Sequence, residues 1–301
     1  MESVYGQSIS NYLEHLNPLE PIATDVAEKL RPSIGAKAVV FDIYGTLLIS
    51  ASGDIDQAEV RNQYIDQALV ASGIVAPADF SRIAFFAYKS EIKKQHLRAH
   101  KRSVAHPEIN VVSIWRRVFI DSGIVASEKE VKAFAFMFEL QSNPVFPMPG
   151  MAKVLTRLSA KGIPMGIVSN AQFYTLPILH YFIDGTLCSA GQLPLFDNRL
   201  CSFSFKQKVA KPDLRLFKKV CVELSENYGI EPNECLYVGN DMLRDIYPAQ
   251  KVGFKTVLYA GDRRSLRLRP EHRNVVGIIP DYIITKLDQI FEILGGTELF
   301  G

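Results

Sequence analysis

Three short apolar runs, each stopping on a polar or acidic residue, constrain this chain more than any other feature. Ala38-Val39-Val40-Phe41 runs into Asp42, Pro164 to Val168 ends at Ser169-Asn170, and Cys235 to Val238 passes through Gly239 into Asn240-Asp241. Such runs are those of strands buried on both faces, which parallel sheets supply. Around them the pattern takes a helical period. It predicts helices at about 151–160, 174–182, 213–228 and 245–252, with further strands near 200–205 and 255–259. Alternation of this kind argues for a doubly wound, Rossmann-like α/β fold, a parallel sheet with helices on both faces. In that fold the C-terminal strand ends meet at one crevice.

A different pattern interrupts the alternation. From Ser50 the chain keeps helical period for nearly a hundred residues, with helices expected from Val60 to Ala68, Phe80 to Ala99, Val111 to Asp121 and Ser127 to Gln141. The stretch Asn143 to Gly150 carries Pro144, Pro147 and Pro149 and reads as a hinge. Residues 1–36 read as a helical arm, with Leu13, Leu16, Leu19 and Ile22 near helical spacing and Pro18 and Pro21 interrupting. The expected organisation is therefore an arm over 1–36, an α/β core over 37–47 and 148–301, and an all-helical insertion over 48–147. A length of 301 residues suits two compact units.

Composition narrows the function classes. Thirty-four Lys and Arg against 32 Asp and Glu leave a formal charge of +2, so the whole chain makes no case for nucleic acid or an anionic membrane. Cys188, Cys201, Cys221 and Cys235 form no CxxC pair and read as apolar residues in a reducing compartment. The N-terminus lacks a basic and then apolar leader pattern, and no apolar stretch reaches membrane-spanning length, so a cytoplasmic location is expected.

The strand ends supply the chemistry. Asp42, in Phe41-Asp42-Ile43-Tyr44-Gly45-Thr46-Leu47, is a carboxylate able to attack an electrophilic centre and form a covalent intermediate. Gly45 permits a sharp turn, and Thr46 offers a hydroxyl and an N–H to an anion. Asp241 is a hard-oxygen donor suited to Mg²⁺, with Asp245 one helical turn on. Ser169 and Asn170 precede a helix and can cradle an anion, and Lys211, in Ala210-Lys211-Pro212-Asp213, can balance the charge of substrate and nucleophile. Taken singly, each residue is equally a helix cap, a turn or solvated surface.

Taken in order, the four segments FDIYGTL, IVSN, the lysine of KPD and VGNDMLRD resemble the motifs of the haloacid dehalogenase-like hydrolase superfamily. The resemblance covers about 37–47 and 148–262, with the helical insertion similar to the family's mobile cap. It implies a nucleophile at Asp42, an orienting Ser169, a charge-balancing Lys211, and Mg²⁺ held by Asp42, the carbonyl of Tyr44 and Asp241, with Asp245 in or beside that shell. Thr46 and Asn170 would touch a small anionic substrate. The expected activity is Mg²⁺-dependent hydrolysis of a phosphorylated substrate through an aspartyl-phosphate.

One position departs from that pattern. Phosphatases of the family carry a second Asp two residues after the nucleophile, and this chain has Tyr44 there. A phenol with an unperturbed pKa near 10 is a poor acid–base at neutral pH. Tyr at this position is similar to the metal-independent 2-haloacid dehalogenases, which keeps that activity, or a catalytically weak binding protein, as an alternative. The basic stretches 89–102 and 263–269 read as solvated surface. Trp115 reads as core of the helical insertion. The oligomeric state is not written in these patterns.

Overall fold

The computed structural model describes residues 4–32, 35–51, 62–101, 103–187 and 192–295. Val60, Arg102 and Cys188, which figure in the sequence reading, lie outside the described residues.

Helix α1 spans Val4–Glu14. Strand β1 (Ala38–Phe41) is fully buried and stands at the centre of a six-stranded parallel sheet. A short β2 (Leu48–Ser50) leads into helices α2 (Asn62–Ser72), α3 (Phe80–His100), α4 (Val111–Asp121) and α5 (Glu128–Ser142), and β3 (Val145–Pro147) returns the chain. The core resumes with α6 (Met151–Ala160), β4 (Met165–Ser169), α7 (Thr175–Asp184), β5 (Cys201–Phe203), α8 (Ser204–Gln207) and α9 (Leu214–Tyr228). It closes with β6 (Cys235–Gly239), a wide π-helical turn at Met242–Ile246, α10 (Tyr247–Lys251), β7 (Lys255–Tyr259), β8 (Tyr282–Ile284) and α11 (Ile290–Ile293). Strand order is β5-β4-β1-β6-β7-β8, every pair parallel. The chain builds outward from β1 to β5, then crosses back to β6 on the other side. Asp42 leaves β1 at this reversal, where doubly wound sheets bind ligands.

The apolar interior of the helical insertion is continuous with the core on one face of the sheet. Trp115 is fully buried and stacks on Tyr88 at 4.5 Å, with Phe134 and Phe138 edge-on at 4.7 and 5.0 Å. Its helices begin where their sequence says. Asn110 caps α4 through Ser113 N–H, and Ser127 with Glu130 forms a capping box on α5.

The structure corrects one sequence expectation and adds two elements to the reading. Only the first of the four apolar arm residues is helical: α1 stops at Glu14, and the chain then runs without helix past Leu16, Leu19 and Ile22. It lies along the sheet edge instead, where Lys29 exchanges backbone hydrogen bonds with Ile283 of β8 at 2.9 and 3.1 Å. Covering an edge strand in this way removes a site for unwanted pairing. The Pro-rich hinge contains β3, antiparallel to β2, so a two-stranded ribbon roots the insertion in the core. Strand β8 completes the sheet from a segment with no recognisable strand pattern.

Cys201 and Cys235 are buried, Cys221 is half-buried, and all three are free thiols. Among the described residues no helix is long and apolar enough to cross a membrane.

Candidate active site

The residues singled out at the strand ends come together. Asp42, 5% exposed, follows β1; Asn240 and Asp241 follow β6; Asn170 follows β4; and Lys211 arrives on the loop between α8 and α9. Together with Tyr44, Asp245, Arg244 and Arg267 they line a small cleft of about 90 Å³.

Glycines make this convergence possible. Gly45 has φ +82°, and a Cβ there would sit 2.5 Å from Asn240 Nδ2 and 2.6 Å from Ser265 Cβ. A Cβ on Gly239 would meet Asp245 Cβ and Cγ at 2.5 Å. The loops after β1 and β6 therefore approach closer than any larger residue allows.

Lys211 is the electrostatic centre. Its ammonium donates to Asp42 Oδ1 at 2.5 Å and to Asp245 Oδ1 at 2.6 Å, with all three side chains at most 7% exposed. Burial works against its charge, but Asp245 and Asp42 outweigh that and push its pKa up, so it stays cationic. Asn170 fixes the lysine from behind, its side-chain oxygen accepting Lys211 N–H at 2.7 Å.

Asp245, at the edge of the cleft, is bound to this lysine and to the β6 loop. Lys211 and Tyr237 hydroxyl donate to Oδ1, and the N–H groups of Asn240 and Asp241 donate to Oδ2 at 3.1 and 3.0 Å. Both oxygens are thus committed to the protein. These contacts hold Lys211 and the β6 loop in place. Burial raises the Asp245 pKa to about 6, opposed by Lys211.

Thr46, expected at the substrate, and Ser169, expected to orient it, are both enclosed. Thr46 is fully buried and donates to Asn240 Oδ1 at 3.2 Å, so its hydroxyl braces the loop. Ser169 is equally enclosed, with its hydroxyl 3.5 Å from the Asn170 carbonyl. Neither side chain lines the cleft; Asn170 does.

Tyr44 borders the cleft. Its hydroxyl is hydrogen-bonded to Thr175 Oγ1 at 3.0 Å. Burial first, then Glu139, raises its pKa far above the usual value for a phenol, with Thr175 opposing. It remains protonated and is a weaker acid than free tyrosine.

The largest departure concerns Asp241 and the basic segment 263–269. That segment is not all surface: Arg267 lines the cleft, and Arg269 grips Asp241 with Nε to Oδ1 at 2.8 Å and Nη2 to Oδ2 at 2.6 Å. Leu243 and Arg244 N–H groups also donate to Oδ1, at 2.9 and 3.1 Å. Burial pushes the Asp241 carboxyl up, but the Arg269 guanidinium outweighs it and holds its pKa below the usual carboxylate range. Asp241 therefore meets four donors, three on Oδ1 and one on Oδ2, and among the described residues no three His, Cys, Asp or Glu side chains stand together as a metal-binding group. In this arrangement the residues do not fit the expected Mg²⁺. The signal available in the sequence was position: Arg267 and Arg269 lie shortly after β7, on the side of the sheet where the other strand ends converge.

The comparisons agree with this architecture. The model of the haloacid dehalogenase-like hydrolase family matches residues 36–253. The chain belongs to this family. It is 30% identical over 147 residues to a glyceraldehyde 3-phosphate phosphatase of Pyrococcus furiosus, covering 49% of this chain and 54% of that protein. The chain thus spans about half the length of that relative. A protein of the same name from Methanopyrus kandleri is 23% identical over 267 residues, 86% of this chain and 97% of that one. Among solved structures, the 2-haloacid dehalogenase from Pseudomonas syringae pv. Tomato DC3000 has a TM-score of 0.51 at 19% identity, covering 86% of this chain and 98% of that one. As a member of the family, the chain is a hydrolase-type enzyme.

Proposed function

We propose that this hydrolase cleaves a small phosphorylated substrate by attack of Asp42 on phosphorus. The observation that carries the reading is the Asp42–Lys211–Asp245 chain at the reversal point of the sheet, opening into a cleft with two arginines. The Lys211 ammonium and the arginines of the lining give the cleft a positive field that draws an anion toward Asp42. The phosphatase names of the relatives support phosphate over halide as the group removed.

In the first step an Asp42 oxygen bonds to phosphorus as the bond to the leaving oxygen breaks. Water then attacks phosphorus, releasing phosphate and regenerating the carboxylate. Lys211, Arg244 and Arg267 offset the charge gathering on the phosphoryl oxygens. With Tyr44 too weak an acid, the leaving oxygen must take its proton from water or need none, which favours acyl phosphates over simple alkyl esters. Mg²⁺, implied by the resemblance, takes no step here, because Asp241 is committed to Arg269.

The four-helix insertion acts as a cap over this cleft. A volume of about 90 Å³ is well below the roughly 300 Å³ at which ligand pockets begin. The described conformation is then a closed one, latched by Ala210 N–H to His106 carbonyl at 2.8 Å and Gln172 to Glu108 Oε1 at 3.0 Å. Substrate entry requires this latch to open about the β2–β3 ribbon.

The deciding experiment measures product release from acetyl phosphate, an activated aryl phosphate and 2-chloropropionate by the protein and its Asp42→Asn variant. Phosphate release that depends on Asp42, with acetyl phosphate preferred, is expected. Asp42-dependent chloride release without phosphate release would overturn the reading in favour of halide displacement, which Tyr44 also permits.

A further inference from the structure

We infer that Arg269 is a built-in cation that takes the place of a divalent metal ion at Asp241, so that this active site works without one. The pair is a two-pronged fork, the geometry in which arginine matches a carboxylate best. The Asp241 side chain is 7% exposed and that of Arg269 28% exposed, so the carboxylate end of the pair is the enclosed one. With Leu243 and Arg244 N–H groups also on Oδ1, four donors meet one carboxylate, about its full capacity. A metal ion would have to expel the guanidinium to bind.

The chain is built to deliver this side chain. Asn240 carbonyl accepts Arg267 N–H at 3.0 Å and Arg267 carbonyl accepts Met242 N–H at 2.9 Å, zipping the arginine loop to the β6 loop. Asn240 Nδ2 donates to Ser265 carbonyl at 2.6 Å. Behind it, the buried Asp262 accepts Ile22 N–H at 2.9 Å, and Arg263 N–H donates to Ile22 carbonyl at 2.7 Å. The N-terminal arm thus braces the loop from outside. Arg269 itself has φ +46°, a left-handed conformation that a non-glycine residue holds only when its surroundings demand it.

Charge balance points the same way. Asp42, Asp241 and Asp245 bring three negative charges, and Lys211 and Arg269 return two within direct contact. Arg244 and Arg267 add positive charge to the lining. The like-charge repulsion that a metal ion would relieve is already relieved by side chains, and a dication would enter a field that opposes it. This inference holds whichever electrophile Asp42 attacks.

The test is Mn²⁺ binding, read by electron paramagnetic resonance of the free ion and by the melting temperature with Mg²⁺, Mn²⁺ or chelator. The intact protein is expected to bind no Mn²⁺ at 1:1 stoichiometry up to about 1 mM, with a melting temperature indifferent to chelator. Arg269→Ala is expected to gain one site, lost again when Asp241→Ala is added. Arg269→Gln, which keeps hydrogen-bonding capacity without charge, serves if Arg269→Ala does not fold. Stoichiometric, sub-millimolar Mn²⁺ binding by the intact protein would overturn the inference. So would the absence of binding in folded charge-removed variants, because Arg269 would then not be standing in a cation's place. Both readings are of binding, so their outcome is separate from whether phosphate is hydrolysed.

Discussion

Lys211→Met is expected to destabilise the protein in a pH-dependent way, because one ammonium serves two buried carboxylates. Its side chain is 3% exposed, and those of Asp42 and Asp245 are 7% and 1% exposed. Asp42 borders the cleft and can recruit water when the lysine is gone. Asp245, at 1% exposure, is more deeply enclosed and is left as a buried charge that has lost its cationic partner. Removing one partner of such a pair costs about 3–5 kcal/mol, which for a chain of this size lowers the melting temperature by roughly 6–20 °C. The carboxyl can escape part of this cost by binding a proton. Burial already raises the Asp245 pKa to about 6 with Lys211 present, and loss of the opposing cation raises it further. An acid whose folded-state pKa lies above its unfolded value contributes stability that is present at low pH and lost as pH rises. The deficit of Lys211→Met relative to the parent is therefore smallest near pH 5 and largest near pH 8, growing by up to about 1.4 kcal/mol per pH unit above 6. Urea denaturation of both proteins across that range, followed by far-ultraviolet circular dichroism, measures it. A deficit below 1 kcal/mol at pH 8, or one equal at both ends of the range, would refute the view of Lys211 as the neutralising centre.

Further outcomes follow from the same contacts. Gly45→Ala must hold a left-handed φ and place its Cβ 2.5 Å from Asn240 Nδ2, so a loss of at least about 2 kcal/mol is expected in thermal melts. Gly239→Ala meets Asp245 without the φ penalty and should lose about 1–3 kcal/mol. Tyr44→Phe removes the bond to Thr175 and is expected to cost about 1 kcal/mol while leaving kcat within a few-fold; a fall of about a hundredfold would make Tyr44 the proton donor after all. Gln172→Ala removes the bonds to Glu108 and Ile109 and should speed hydrogen exchange of the Ala210 amide, which is bonded to His106, with little change in the exchange of β1.

The elements of the core were legible because each carries its own period. The helices at Val111–Asp121 and Met151–Ala160 and the strand at Lys255–Tyr259 fall where the apolar spacing sets them, and Asn110 and Ser127 mark two helix starts within the insertion. The β2–β3 ribbon and β8 were not legible, since what holds these strands is backbone pairing with partners distant in sequence. Arg263 to Arg269 misled for a related reason. A run of arginines is normally solvated, and it is the backbone bonds of Arg267 with Asn240 and Met242, with the Asn240–Ser265 and Arg269–Asp241 bonds, that turn the end of that run inward.

By itself, then, the sequence determined the order of strands and helices, the polar residue at each strand end, and the absence of a carboxyl acid at position 44. Those properties are local, written within a few residues. The tertiary structure decided which of those polar groups face the cleft and which are consumed in holding it. Ser169 and Thr46 turned inward, Asp245 was taken by Lys211 and Tyr237, and Asp241 was taken by Arg269. A carboxylate in a sequence is equally a nucleophile, a metal ligand or a partner for a cation. Its choice among these depends on which donors other loops bring within 3 Å, and that is a property of the folded chain.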